Sequence, residues 1–506
     1  MQTSRRSDLR TRIAGLLQGR LHIELRKRDL CILLLLAVVA ATVMFWRLGE
    51  GSLGDYDEAD YAQSAREMLW WSDFNTPRWN GMEFFDKPPL CYWLTVLSYK
   101  VFGINEFGAR FVSACAGVLV ILLTYLLGRS LFSQRAVGLG AAIMLLTVSR
   151  NLFSHGYNLV SLARVGMLDM PLILAMMVAV WCAWRSQRNP RYLVWLGLPL
   201  GLGVMIKSIA GLMAFGIVGL FLLVGLPWKA WWRKELLWGG LLSAFVALPW
   251  HLGQLWIWGR QFWDSYMVSL TVGYVTGEQG HTKDVLFYLR SIQRGFPVLY
   301  PVLALAVLYG LYRIVRGRLL HRAEGDARDL RALTLLLCWT AVPMLLYNVS
   351  RSRIGWYMIP IYPALALLAM YLLVRVLRSR LALASVLVVT LAFNPWLPRA
   401  SDFNPGVKAV ASYSRYMVSE DAVLVDYWPA SYWIRPAALF YADRPLLLVT
   451  SEPALRRLLR TPGEFYVLAD AKDWGPVRDL GLELYRSGGY VLAKAHASVK
   501  GSEGVQ

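Results

Sequence analysis

Apolar residues in this chain come in blocks of about 17–23, long enough to cross a bilayer as helices, and that repeated length dictates the fold class. The candidate spans are 30–47, 109–131, 136–152, 169–185, 191–206, 209–226, 237–257, 296–314, 332–349, 357–376 and 380–396. Over 506 residues, 57% are hydrophobic and only 17% charged, which is too apolar for a soluble protein of this size. The pattern predicts an all-α polytopic membrane bundle with about eleven or more transmembrane helices. The first block has no small-residue cleavage site after it, so it reads as a retained span rather than a removed signal peptide. The five cysteines are scattered, without metal-ligand or disulfide spacing.

The formal charge of +20 excludes nucleic acid as a partner once its distribution is considered. Beyond residue 395 there are 13 Lys/Arg against 12 Asp/Glu, so the excess lies on the membrane part. It collects in short loops: residues 1–29, Arg129–Arg135, Arg185–Arg191, Lys229–Lys234, Arg313–Arg331 and Arg375–Arg380. With the N-terminus in the cytoplasm, every one of these falls inside when the spans are counted, as basic loops do. The segments 48–108, 153–168 and 258–295 and the tail from 397 then face outward.

Three regions follow: a basic cytoplasmic N-terminus, 1–29; a membrane domain, 30–396, which includes the long outer loop 48–108; and an outer soluble domain, 397–506. Within the loop, 57–71 and 88–102 read as two amphipathic helices on the outer (periplasmic) membrane surface. The tail alternates β-rich runs (Ala422–Val425, Leu446–Val449, Phe465–Leu468, Tyr490–Ala493) with a helical stretch, Pro453–Leu459. It reads as a small α/β domain without a phosphate-binding glycine loop.

Carboxylates at a bilayer boundary are costly unless solvated or paired, so they mark candidate sites. Gly54-Asp55-Tyr56-Asp57-Glu58-Ala59-Asp60-Tyr61 follows the first span, and Asp169 heads a later one. The loop continues with Thr76-Pro77-Arg78-Trp79-Asn80-Gly81, Phe85-Asp86-Lys87-Pro88-Pro89 and Phe102-Gly103-Ile104-Asn105-Glu106-Phe107-Gly108-Ala109-Arg110. In order and spacing these motifs resemble the first periplasmic loop of the C-type (GT-C) membrane glycosyltransferases. That superfamily includes the lipid A aminoarabinose transferases and the polyprenyl- or dolichyl-phosphate-mannose protein mannosyltransferases, and the aminoarabinose-transferase-like branch resembles this chain most. The resemblance runs through Ala163-Arg164, Asp169, Lys207-Ser208, Pro249-Trp250 and Trp356-Tyr357-Met358-Ile359-Pro360-Ile361-Tyr362-Pro363, over about residues 48–370.

The resemblance implies an inner-membrane glycosyltransferase that takes its sugar from a polyprenyl-phosphate donor, not from a nucleotide sugar. The acceptor would be a lipid or a cell-envelope glycan at the outer face, or a protein hydroxyl as in O-mannosylation. It implies Asp57 as the base or acceptor-orienting group, with Asp55 and Glu58 as rivals, and Asp169 as a second active-site carboxylate. Capping or helix-dipole roles are the structural alternatives for these acids. Lys87 and Lys207 are implied at the donor phosphate, where a leaving group needs positive charge. Snorkelling to water is their alternative, and Arg351 and Arg353 are weaker candidates for the same role. Arg164 could pair with Asp169, hold phosphate or anchor at the interface. Tyr61 and Tyr357 join the substrate set, although aromatics near an outer helix end also form interface belts. Asp86 and His281 raise a divalent metal as a possible cofactor, because relatives place a carboxylate and a histidine there. This chain has Asp in place of Glu, and Val268-Ser269 where a Glu-His pair is usual. A lipid transporter or flippase is the non-enzyme alternative; it would predict charged or broken helices near the midplane and repeated halves.

Overall fold

The computed structural model describes residues 26–55, 57–146, 158–225, 233–272, 284, 286–319, 324–350, 353–393, 397–429, 431 and 433–496. Among the described residues, seven helices are long and apolar enough to cross a bilayer: Lys27–Phe45, Glu106–Phe132, Asp169–Ser186, Arg191–Gly225, Lys234–Ser269, Ala327–Val349 and Gly355–Val376. Phe287–Gly295 and Tyr300–Gly317 meet at a bend of 118° and make an eighth if taken as one span. Leu90–Phe102, Arg135–Leu145 and Ser379–Ala392 are apolar but shorter. Helices satisfy their own backbone, which is the condition for crossing hydrocarbon. Over its described residues, each of the eleven apolar runs lies mostly on one of these helices or on half of one.

Arg191–Gly225 is two halves. Lys207 (φ −148°, ψ 48°) and Ser208 (φ 43°, ψ −121°) leave the helical region. In a straight helix, residues eight apart stand about 12 Å apart. Here a Cβ added to Gly211 would lie 2.4 Å from the Gly203 carbonyl carbon. The halves therefore fold back as a tight hairpin with Lys207 at its apex. Only a residue without a side chain lets the backbones approach so closely.

The helix Asp57–Trp70 starts with three acids in its first turn, where the helix dipole favours them. It does not lie on a membrane surface. Glu58, Ala59 and Tyr61–Met68 are all buried, including the polar Gln63, Ser64, Arg66 and Glu67. The helix Leu90–Phe102 covers one side, with the Tyr99 hydroxyl donating to the Ala62 carbonyl at 3.1 Å. The short helix Pro436–Ala442 from the C-terminal region covers another, where Arg66 Nη1 donates to the Phe440 carbonyl at 2.6 Å. Leu90–Phe102 exposes Leu94, Leu97, Val101 and Phe102, and it fits the expected interfacial helix better.

Two short strands in the outer loop, β1 (Arg78–Trp79) and β2 (Met82–Glu83), pair antiparallel. Residues after 400 carry a five-stranded sheet: β3 (Val423–Tyr427), β4 (Leu447–Val449), β5 (Phe465–Asp470), β6 (Gly481–Ser487) and β7 (Tyr490–Ala495), in the order β4-β3-β5-β7-β6. β3 is parallel to β4 and β5, while β7 is antiparallel to β5 and β6. Strand β6 and the helices Pro405–Met417 and Pro436–Ala442 had no counterpart in the sequence reading. This unit is bolted to the loop after the first span. Asp402 accepts from the Ser52 amide and hydroxyl at 2.9 and 2.6 Å, and the Leu53 amide donates to the Tyr441 hydroxyl at 2.7 Å. Asp55 accepts from the Ala437 amide at 3.0 Å.

Candidate active site

Two buried arginines build the scaffold. Arg110, the last residue of the Phe-Gly-x-x-Glu-Phe-x-x-Arg motif, is fully buried in the helix Glu106–Phe132. Its Nε donates to Glu58 Oε1 at 2.7 Å, and its Nη atoms donate to the carbonyls of Leu48, Glu50 and Ser52. Glu58 also accepts from the amides of Gly54 (2.7 Å) and Gly166 (2.9 Å). All the acceptor capacity of Glu58 is thus directed into the fold, and it is buried at 2% exposure. Removing one partner of such a pair costs about 3–5 kcal/mol. Arg164 does not pair with Asp169. Its Nη1 donates to the carbonyls of Val43 and Met44 at 3.0 Å each, in the last turn of the first span, where helix carbonyls lack intrahelical partners. Its Nη2 reaches the Arg399 carbonyl at 3.3 Å.

The remaining charged groups gather around Asp57. Asp169 opens its helix with Pro171 in the first turn, and both its oxygens accept from Lys207 Nζ at 2.8 Å. That pair is buried, and Lys207 Nζ also stands 5.2 Å from the ring centre of Tyr357. The Tyr357 ring stacks on Tyr347 at 4.9 Å. Lys87 Nζ pairs with Asp86 Oδ1 at 2.6 Å. Asp57 is half-buried at the head of its helix. Burial pushes its carboxyl above the usual carboxylate range; the Lys207 and Lys87 ammonium groups oppose that, while Asp86 and Asp169 add to it. Asp57, Asp86, Lys87, Asp169 and Lys207 therefore share one electrostatic neighbourhood, drawn from four separate stretches of chain. Arg353 donates to the Asn348 carbonyl at 3.0 Å.

Asp60 and Tyr92 belong to this neighbourhood and were not singled out from sequence. Burial drives the Asp60 carboxyl well above the ordinary range, and the Asp57, Asp86 and Asp55 carboxylates push it the same way. Its position three residues after Asp57, on the same helix face, was the available signal. The Tyr61 and Tyr92 rings lie 6.0 Å apart, and both hydroxyls are buried without a hydrogen-bond partner among the described residues. Such orphaned hydroxyls await a polar ligand or water.

Half of the metal expectation lies outside the described residues. Among the described residues no group of three or more His, Cys, Asp or Glu could hold an ion. Asp86 is already paired with Lys87, and His281 lies outside the described residues, as does Arg351.

The dolichyl-phosphate-mannose-protein mannosyltransferase family model matches residues 86–252. An undecaprenyl phosphate-alpha-4-amino-4-deoxy-L-arabinose arabinosyl transferase of Pseudomonas aeruginosa is 30% identical over 363 residues, 70% of this chain and 61% of its own length. An uncharacterized protein of Aquifex aeolicus is 28% identical over 344 residues, 66% of this chain and 62% of its own. The chain thus aligns with a little over three-fifths of the length of these relatives. Among solved structures, ArnT from Cupriavidus metallidurans bound to undecaprenyl phosphate superposes with a TM-score of 0.74 at 18% identity, over 92% of this chain and 98% of that one. The oligosaccharyltransferase of Archaeoglobus fulgidus gives 0.52 at 15% identity, over 92% of this chain and 73% of that one. In sequence the chain is similar to the aminoarabinose transferases, and in fold to ArnT, a C-type membrane glycosyltransferase architecture.

Proposed function

We propose that this protein is an integral-membrane glycosyltransferase that moves a sugar from a polyprenyl phosphate to a lipid or cell-envelope glycan acceptor. The observation that carries the reading is the pair of lysines, Lys87 and Lys207, each held against a carboxylate and both close enough to Asp57 to act on its carboxyl. We further read eleven crossings, with the site and the C-terminal α/β domain on the outer face of the cytoplasmic membrane. This follows the inside bias of the basic loops.

In the reaction, an acceptor oxygen bonds to the anomeric carbon as the bond from that carbon to the donor phosphate oxygen breaks, with inversion. If the acceptor is a hydroxyl, its proton passes to the Asp57 carboxylate. If it is a phosphate oxygen, no base is needed and Asp57 positions it. The departing polyprenyl phosphate gains charge, which the Lys87 and Lys207 ammonium groups meet. Without donor, Asp86 and Asp169 keep those ammonium groups compensated; with donor, they orient them. Asp169 also faces the sugar, Tyr357 gives it a stacking surface, and the orphaned Tyr61 hydroxyl is free to bond it. Glu58 and Arg164 support the site without touching substrate.

A protein acceptor is the second reading, favoured by the family model that covers 86–252. Lipid and glycoprotein masses from cells with and without the chain test both. Loss of a sugar increment from an envelope lipid supports the first reading. Unchanged lipids with shortened glycoproteins support the second, and no change in either refutes both.

A further inference from the structure

Ser208 takes a backbone conformation (φ 43°, ψ −121°) that favours glycine, immediately after Lys207. Its hydroxyl donates to the Tyr266 hydroxyl at 2.8 Å. His251 Nε2 meets the same Tyr266 hydroxyl at 2.7 Å, and His251 Nδ1 meets the Ala247 carbonyl at 2.7 Å. A carbonyl only accepts, so Nδ1 carries the imidazole proton and Nε2 presents a lone pair. Tyr266 therefore donates to His251, and its oxygen is left to accept from Ser208. The chain has one consistent direction, Ser208 to Tyr266 to His251 to Ala247.

The Tyr266 ring is held as firmly as its hydroxyl. It is 4% exposed, stacks on Phe262 at 4.8 Å and meets Trp250 edge-on at 6.0 Å. Phe85 and Met205 belong to the same small buried cluster. Phe85 directly precedes the Asp86–Lys87 pair, and Met205 is two residues before Lys207. One tyrosine, at the start of an irregular π-helical segment (Trp263–Val272), thus fixes the hairpin apex that carries one lysine and packs with the residue beside the other.

We propose that Tyr266 is a positioning residue: through the Ser208 hydroxyl it holds Lys207 in place for the donor phosphate. The ligand in this statement rests on the function proposed above; the mechanical link does not. The test uses full-length protein in nanodiscs and two readouts. The first is the rate at which an amine-acylating reagent modifies Lys207, followed by peptide mass spectrometry, which needs no ligand. The second is the affinity for undecaprenyl phosphate, measured against a zwitterionic lipid. Tyr266→Phe keeps the ring and removes the hydroxyl. Ser208→Gly removes the hydroxyl and relieves the backbone.

Both variants are expected to stay folded while Lys207 acylation rises several-fold. Undecaprenyl phosphate should bind about tenfold more weakly, the size expected for coupled neighbours, and this loss should vanish in an Asp169→Asn/Lys207→Met background, which removes Lys207 without leaving a buried carboxylate alone. Unchanged acylation in Tyr266→Phe overturns the proposal, as does a binding loss that persists without Lys207. If wild-type protein does not prefer undecaprenyl phosphate, the proposed function fails, and the acylation result alone decides the positioning claim.

Discussion

Lys207→Met separates what the Lys207–Asp169 pair does for folding from what it does for chemistry. The ammonium lies 2.8 Å from each Asp169 oxygen, and the side chains are 8% and 3% exposed. Methionine fills similar volume but leaves a buried carboxylate alone, at a cost of about 3–5 kcal/mol. Asp169→Asn combined with Lys207→Met removes both charges, and most of that loss should return, because neutral replacement of a buried pair is far milder than halving it. Transfer behaves differently. Losing a preorganised positive charge at the leaving phosphate costs about 10²–10³ in kcat, and neutralising Asp169 does not restore it. The assay is apparent Tm in nanodiscs beside the rate of sugar transfer from undecaprenyl-phosphate-linked sugar. The single variant should be unstable and inactive, the double variant stable and inactive. A double variant as unstable as the single would refute the buried-pair reasoning, and one that recovered transfer would remove Lys207 from the phosphate.

Three further outcomes follow from the same geometry. The acidic limb of the kcat/KM profile should lie above the ordinary aspartate range, because Asp57 must be ionised to act as a base and burial raises its pKa; activity is lost as pH falls through that raised value. Lys87 opposes that rise, so the residual activity of Lys87→Met should show the limb at still higher pH, and an unmoved limb would detach Asp57 from the site. Arg66→Ala removes a bond to the Phe440 carbonyl, an ion pair with Asp443 at 3.1 Å and a ring contact at 4.1 Å, costing about 2–3 kcal/mol. Proteolysis around residues 397–404 should accelerate, and an unchanged cleavage rate would mean that the C-terminal unit is held elsewhere. Gly138→Ala would set a Cβ 2.2 Å from the Tyr125 carbonyl, so Tm should fall by the equivalent of about 1–3 kcal/mol while transfer per folded molecule is kept; an unchanged Tm would contradict the close helix approach.

Bilayer-length apolar runs made the helices legible, since hydrocarbon tolerates few other ways to satisfy a backbone. The break at Lys207 was legible too, as a lysine between two runs. Its partner was not. Asp169 is 38 positions away, and only packing of the hairpin against the helix Asp169–Ser186 decides that Lys207, not Arg164, reaches it. Glu58 and Asp57 are adjacent in sequence, yet the helix turns one into the scaffold and leaves the other at the site; nothing short of the Arg110 contact separates them. The helix Asp57–Trp70 read as a surface helix because its burial is supplied by Pro436–Ala442, some 370 residues on. Strand β6, with its run Gly481-Leu482-Glu483-Leu484-Tyr485-Arg486-Ser487, is a charged edge strand that carries little of a buried strand's pattern. The Tyr266 segment has the irregular winding of a π-helix, which no simple apolar period announces.

The most direct test supplies purified full-length protein with radiolabelled undecaprenyl-phosphate sugar and envelope lipid acceptors, and follows the label in wild type and in Asp57→Asn. Label should move to the acceptor with wild type and stay on the donor with the variant, while undecaprenyl phosphate still binds both. Wild type that leaves the donor intact, or Asp57→Asn that transfers at the full rate, would contradict the account.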